Sequence, residues 1–165
     1  MISKKIILKG LAVLAGVFLL EVSVTSNAQA TIYYVSSSIG DDTWEGTEPL
    51  PTENPTNGPW KTIHKVNEQT FEPGDIIKFK RGDTWITDYE HDEHLIPPSS
   101  GSLGNPIRFM AYGEGDKPTF NANGADYYHI IAIIHKDYIV IEDIKLGIMA
   151  QTFLLSVSTS IIPII

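Results

Sequence analysis

Three stretches of the sequence carry residue types that could do chemistry. Residues 89–94, YEHDEH, set His91 and His94 three apart with Glu90, Asp92 and Glu93 around them. Histidines among carboxylates can hold zinc, but here no helix aligns the pair and no third ligand follows at a recognisable spacing. A polar outward loop is the plainer reading. Asp41-Asp42 stands near Glu45 and Glu48 in a stretch dense in turn formers. Calcium takes several oxygens from such loops, yet no calcium-loop motif of fixed spacing is present, and a solvated acidic loop accounts for it more simply. Lys80-Arg81 could meet an acidic sugar or act on a proton next to a carboxylate. Lys78 and Lys80 also alternate away from Ile77 and Phe79, as a solvated strand face would, and Arg81-Gly82-Asp83 reads as a turn.

Trp44, Trp85 and Tyr89 could stack on sugar rings, with core packing the simpler reading for Trp85. His64, His129 and His135 have no partner visible in the sequence. Glycoside hydrolysis needs two carboxylates at a defined separation, and spacing alone does not pick them out. No Ser–His–Asp context, phosphate loop or dinucleotide fingerprint is present. The sequence therefore assigns no catalytic residue, no metal ligand and no cofactor.

The elements that must position these residues follow an export signal. Lys4, Lys5 and Lys9 supply positive charge, residues 11–20 (LAVLAGVFLL) are apolar, and Ala28 and Ala30 suit a signal peptidase. Cleavage after Ala30 is expected, giving a signal peptide over 1–30 and a mature chain of 31–165, extracellular or periplasmic. The apolar run is too short for a spanning helix, so no integral membrane segment is expected after cleavage. The chain has no cysteine, so disulfides and lipid attachment at cysteine are excluded. The net charge is −8, and loss of the signal makes it more negative. Such a surface repels nucleic-acid phosphates, and acidic polysaccharides too unless cations bridge the two.

In the mature chain, residues 32–35 (IYYV) predict a strand, and 36–59 a long surface loop with Trp44 folded back onto the body. Residues 61–71 predict a helix capped by Thr62, with Ile63, Val66 and Phe71 on its apolar stripe. Beyond Gly74 the period changes to two. Residues 75–80, 84–87, 106–112, 118–120, 128–134, 138–141 and 144–148 read as short strands separated by polar turns. Many short strands with one helix argue for an all-β fold. Strand units 20–30 residues apart, with excursions of varying length, favour a solenoid over a sandwich. The helix would cap its first rung. Residues 148–165 are apolar and uncharged, without a capping element, and read as an interrupted body.

Several segments carry a resemblance: YYVSSSIGDD, PWKTIHKVN, PGDIIKFKRGDTW, GSLGNPIRFMAYGEGDKP and HKDYIVIEDIKL. Across residues 32–147 the chain resembles the N-terminal region of secreted right-handed parallel β-helix proteins of the pectate-lyase-like superfamily. The resemblance implies a right-handed parallel β-helix with a cap helix and first rungs, truncated after them. It implies a polysaccharide partner, and calcium-assisted β-elimination in a full-length relative, with the catalytic base and calcium carboxylates on rungs beyond residue 165. This chain alone would then be inactive. The alternative is a non-catalytic carbohydrate-binding or adhesin-like β-helix. A self-contained β-sandwich binding module is a third class.

Overall fold

The computed structural model describes residues 29–53, 56–87, 94–122 and 129–147. The signal segment up to residue 28, most of the YEHDEH stretch (88–93) and the apolar stretch 148–165 lie outside the described residues.

Among the described residues, nine short strands and one helix follow in order. These are β1 (Ile32–Val35), β2 (Thr52–Glu53), β3 (Thr56–Asn57), α1 (Ile63–Asn67), β4 (Ile76–Lys80) and β5 (Thr84–Ile86). Then come β6 (Ile107–Tyr112), β7 (Thr119–Asn121), β8 (Ile139–Ile141) and β9 (Lys145–Gly147). They form a four-stranded parallel sheet in the order β1-β4-β6-β8, a three-stranded parallel sheet β5-β7-β9, and the antiparallel pair β2-β3. Each β4→β5, β6→β7 and β8→β9 step is a turn that carries the chain from the larger sheet to the smaller.

The alternation of side chains across a strand explains the register. Tyr33, Ile77, Phe109 and Ile141 share one row of the large sheet, and Val35, Phe79 and Ala111 the next. In the small sheet, Trp85, Phe120 and Leu146 align. These rows face each other. Phe79 meets Phe120 with ring centroids 4.9 Å apart and Trp85 at 5.3 Å, both edge-on, the geometry that ring quadrupoles favour. Val35, Ile63, Val66, Ile77, Phe79, Ile107, Phe109 and Phe120 are fully buried. Stacking like positions is what lets strands of three to six residues close a core that none could bury alone.

Helix α1 is shorter than the predicted 61–71. Thr62 caps it as expected, its hydroxyl accepting from Lys65 N, and Glu68 ends it. Ile63 and Val66 are its buried residues. The helix is anchored from outside itself. The Trp85 indole donates to Lys61 O at 2.9 Å, and Asn67 donates to His94 O and accepts from Ile96 N. Five residues make a helix only because such contacts replace the missing turns.

The expected right-handed parallel β-helix, a solenoid with a cap helix and first rungs, is corrected. The described residues form two parallel ladders of unequal size, with an antiparallel pair in the first excursion. The segment 128–134, expected to be the most apolar strand, is not a strand among its described residues. It makes one isolated bridge, Leu95↔Ile131, with Leu95 N donating to Ile130 O and Ala132 N to Leu95 O. Ile96 N is taken by Asn67 Oδ1, and Pro97 and Pro98 after it have no amide proton to extend a ladder. The apolar residues there still serve packing, with Leu95 fully buried and Ile130 nearly so.

Candidate functional site

The turns between the two sheets bring charged side chains together. In Arg81-Gly82-Asp83, Gly82 takes φ +81°, a conformation that glycine adopts without steric cost. This turns Asp83 inward, where it is 5% exposed. Its carboxylate accepts from Ser36 Oγ at 2.6 Å, from Ser38 Oγ at 2.8 Å and from Ser38 N at 3.3 Å, with Lys80 Nζ at 3.3 Å. Burial pushes the Asp83 carboxyl up, but the donors Ser36, Ser38 and Lys80 together hold it below the usual carboxylate value.

The next turns add a second group. Arg81 pairs with Asp143 and donates to Gly115 O at 3.3 Å, and Lys117 Nζ lies 3.1 Å from the other Asp143 oxygen. Asp143 has φ +59°, and the two cations hold it in that turn. The Lys117 hydrogen bond, followed by the Arg81 charge, keeps the Asp143 carboxyl below its usual value.

On the outer face of the large sheet, Tyr34, Lys78 and Met110 share a row, and Lys80 and Tyr112 the next. All five are half-buried. The Tyr34 and Tyr112 rings meet edge-on at 5.0 Å, and Lys78 Nζ lies 6.0 Å from the Tyr34 ring centre. Tyr112 Oη donates to Pro49 O at 3.2 Å, tying the first long loop to this face. Burial, with the nearby Asp83 charge and Tyr34, pushes the Tyr112 phenol above its usual value. A separate shallow depression lies beside α1, lined by His64, Glu68, Pro97, Pro98 and Lys136.

The other expected candidates take structural roles. Asp41 accepts from Thr43 N and Oγ1, and those two bonds lower its pKa. Asp42 accepts from Lys61 N, Thr62 N and Thr62 Oγ1, fastening the start of α1. Among the described residues, no group of three or more His, Asp or Glu is placed to hold a metal ion. His91 lies outside the described residues. His94 is buried, and its carbonyl receives Asn67. Trp85 is core, while Trp44 packs over Gly58, where a Cβ would come within 2.4 Å of its ring. His64 pairs with Glu68 at 3.2 Å, a partner the sequence reading missed although a spacing of four on the predicted helix could have pointed to it. Sequence reasoning missed Ser36, Ser38 and Asp143 as partners, because their contacts cross 45 to 62 residues of chain.

No known protein-family profile matches the chain. A lacto-N-biosidase of Bifidobacterium longum subsp. longum is 35% identical over 106 residues, covering 62% of this chain and 6% of that protein. Two crystal structures of a GH136 lacto-N-biosidase from Eubacterium ramulus, the selenomethionine derivative and the native protein, superpose with TM-scores of 0.54 and 0.53. Both are 26% identical to this chain and cover 74% of it and 22% of theirs. The chain thus spans a small part of the relatives it matches. These likenesses correct the pectate-lyase-like resemblance. The domain is all-β and similar to GH136 lacto-N-biosidases, and the relative is a glycoside hydrolase, not a polysaccharide lyase. The local wording shared with lyases, turn signals such as PGD and RGD beside apolar strands, marks stacked parallel strands and carries no information on the bond cleaved. Among the described residues no helix is long and apolar enough to cross a membrane.

Proposed function

We propose that this chain is part of an exported, carbohydrate-active protein of glycoside-hydrolase type, whose outer sheet face contacts glycan. The single observation behind this reading is the likeness to lacto-N-biosidases in both sequence and structure. The Tyr34 and Tyr112 rings offer an apolar surface to sugar C–H groups, and Lys78 and Lys80 offer donors to hydroxyls. In this reading residues 1–30 direct export, and glycan, not nucleic acid, is the partner.

Hydrolysis of a glycosidic bond needs one carboxylic acid with a raised pKa and a second carboxylate across the bond. Asp83 and Asp143 are both shifted down and held by donors, so neither suits the proton-donor role. They brace the turns below the sheet face. That same observation favours a second reading, in which this part binds carbohydrate without cleaving it.

The test is release of chromophore from an aryl lacto-N-bioside by the secreted protein, beside a titration with lacto-N-tetraose followed by NMR. Hydrolysis supports the first reading. Binding without hydrolysis supports the second. Neither activity at millimolar glycan would sink both.

A further inference from the structure

The outer face of the large sheet differs in charge from the rest of the molecule. The chain carries −8 overall, yet the outward rows hold no carboxylate. They run Ile32-Ile76-Arg108-Val140, Tyr34-Lys78-Met110 and Lys80-Tyr112. Three cations and two tyrosine rings stand among the apolar side chains of Ile32, Ile76, Met110 and Val140. Two of the cations are already engaged, Lys80 by Asp83 at 3.3 Å and Arg108 by Glu142 at 3.3 Å. Lys78 lies between those two rows with no carboxylate partner among the described residues. Its ammonium has the Tyr34 ring instead, at 6.0 Å. Glu48 precedes Pro49 at one margin and Glu142 lies past the strand end, so the acids flank this face and do not sit in its rows.

We propose that this face binds a glycan bearing a carboxylated sugar, with the carboxylate on Lys78 and a sugar ring against Tyr34 and Tyr112. The inference rests on the carbohydrate reading above and names the chemical class of its ligand. The half-buried Lys78 side chain holds its ammonium beside the Tyr34 ring, so a sugar carboxylate there meets a cation that no described carboxylate competes for, next to an apolar ring face. The net negative charge of the chain does not cancel this, because charges beyond about 8 Å are screened at physiological salt. Neighbours along β4 are about 7 Å apart at alternate positions, so Lys80 can donate to the same sugar without leaving Asp83.

The experiment is an NMR titration of the full chain with 3′-sialyllactose, with lactose and lacto-N-tetraose as neutral probes, repeated for Lys78→Gln. The proposal expects sialyllactose to bind more tightly than lactose, with shifts at Tyr34 and Tyr112. It expects Lys78→Gln to weaken sialyllactose roughly three- to fivefold more than it weakens the neutral probes. Raising the salt should weaken only the sialylated probe. Equal affinity for charged and neutral probes, or a preference that survives Lys78→Gln, overturns the proposal while leaving the carbohydrate reading intact. Absence of binding by all three probes removes both.

Discussion

Ser36 Oγ donates to Asp83 Oδ2 at 2.6 Å, across 47 residues of chain. The bond joins the residue after β1 to the turn that leads from β4 into β5. Both residues are buried, Ser36 completely. The first excursion is therefore fastened to the body by a buried carboxylate, with Ser38 and Lys80 sharing the same two oxygens.

Asp83→Ala should cost about 2–3 kcal/mol, because the buried Ser36 hydroxyl, the Ser38 hydroxyl and an ammonium lose a charged acceptor. The folded-state pKa is lowered, so this contribution is complete above the unfolded value of 3.8 and is lost as pH falls through the lower folded value. Urea midpoints measured downward from pH 5 should fall for the wild type. A smaller fall for Asp83→Ala is expected, and an identical pH profile would show that Asp83 is not the titrating group.

Phe79→Ala should cost about 3–5 kcal/mol. Phe79 is fully buried and touches both Trp85 and Phe120, so its loss leaves a void between the two sheets. Chemical denaturation followed by tryptophan emission checks this. A loss under 1 kcal/mol would mean that the sheets close onto each other without it.

Gly46 is tested by Gly46→Ala. Its φ is +77°, and a Cβ there would lie 2.4 Å from the Trp60 indole. Gly46 O also accepts from Tyr34 N at 2.7 Å, covering the free edge of β1. The substitution should cost about 1–3 kcal/mol and shift the tryptophan emission, since Trp60 is displaced. A variant as stable as the wild type, with unchanged emission, contradicts this contact.

Asp42→Ala should loosen the start of α1 by about 1–2 kcal/mol, since Lys61 N, Thr62 N and Thr62 Oγ1 all lose their acceptor. Hydrogen exchange should speed up at Lys61 and Thr62 while the β4 amides stay protected. Uniform acceleration across the chain would instead indicate global destabilisation.

The alternation of Ile77 and Phe79 against Lys78 and Lys80, the Thr62 cap and the Gly82 turn were all legible in the sequence. Each follows from the period of a strand, the side-chain chemistry of a cap or the φ range open to glycine, which are properties of a few neighbouring residues. The apolar run at 128–134 misled because hydrophobicity reports burial, whereas a strand also needs a partner with amide protons, and the segment around Leu95 runs into Pro97 and Pro98 after a single further residue. The bond chemistry of the relatives was not legible either, since turn and strand signals describe stacking alone. Only the tertiary structure decided which polar residues meet. The contacts of Ser36 and Ser38 with Asp83, and of Arg81 and Lys117 with Asp143, arise where successive turns stack at one corner. Likewise the carboxylate-free rows around Lys78 exist only once β1, β4 and β6 stand in register, because parallel pairing sets side by side residues that lie 44 and 32 positions apart in the chain.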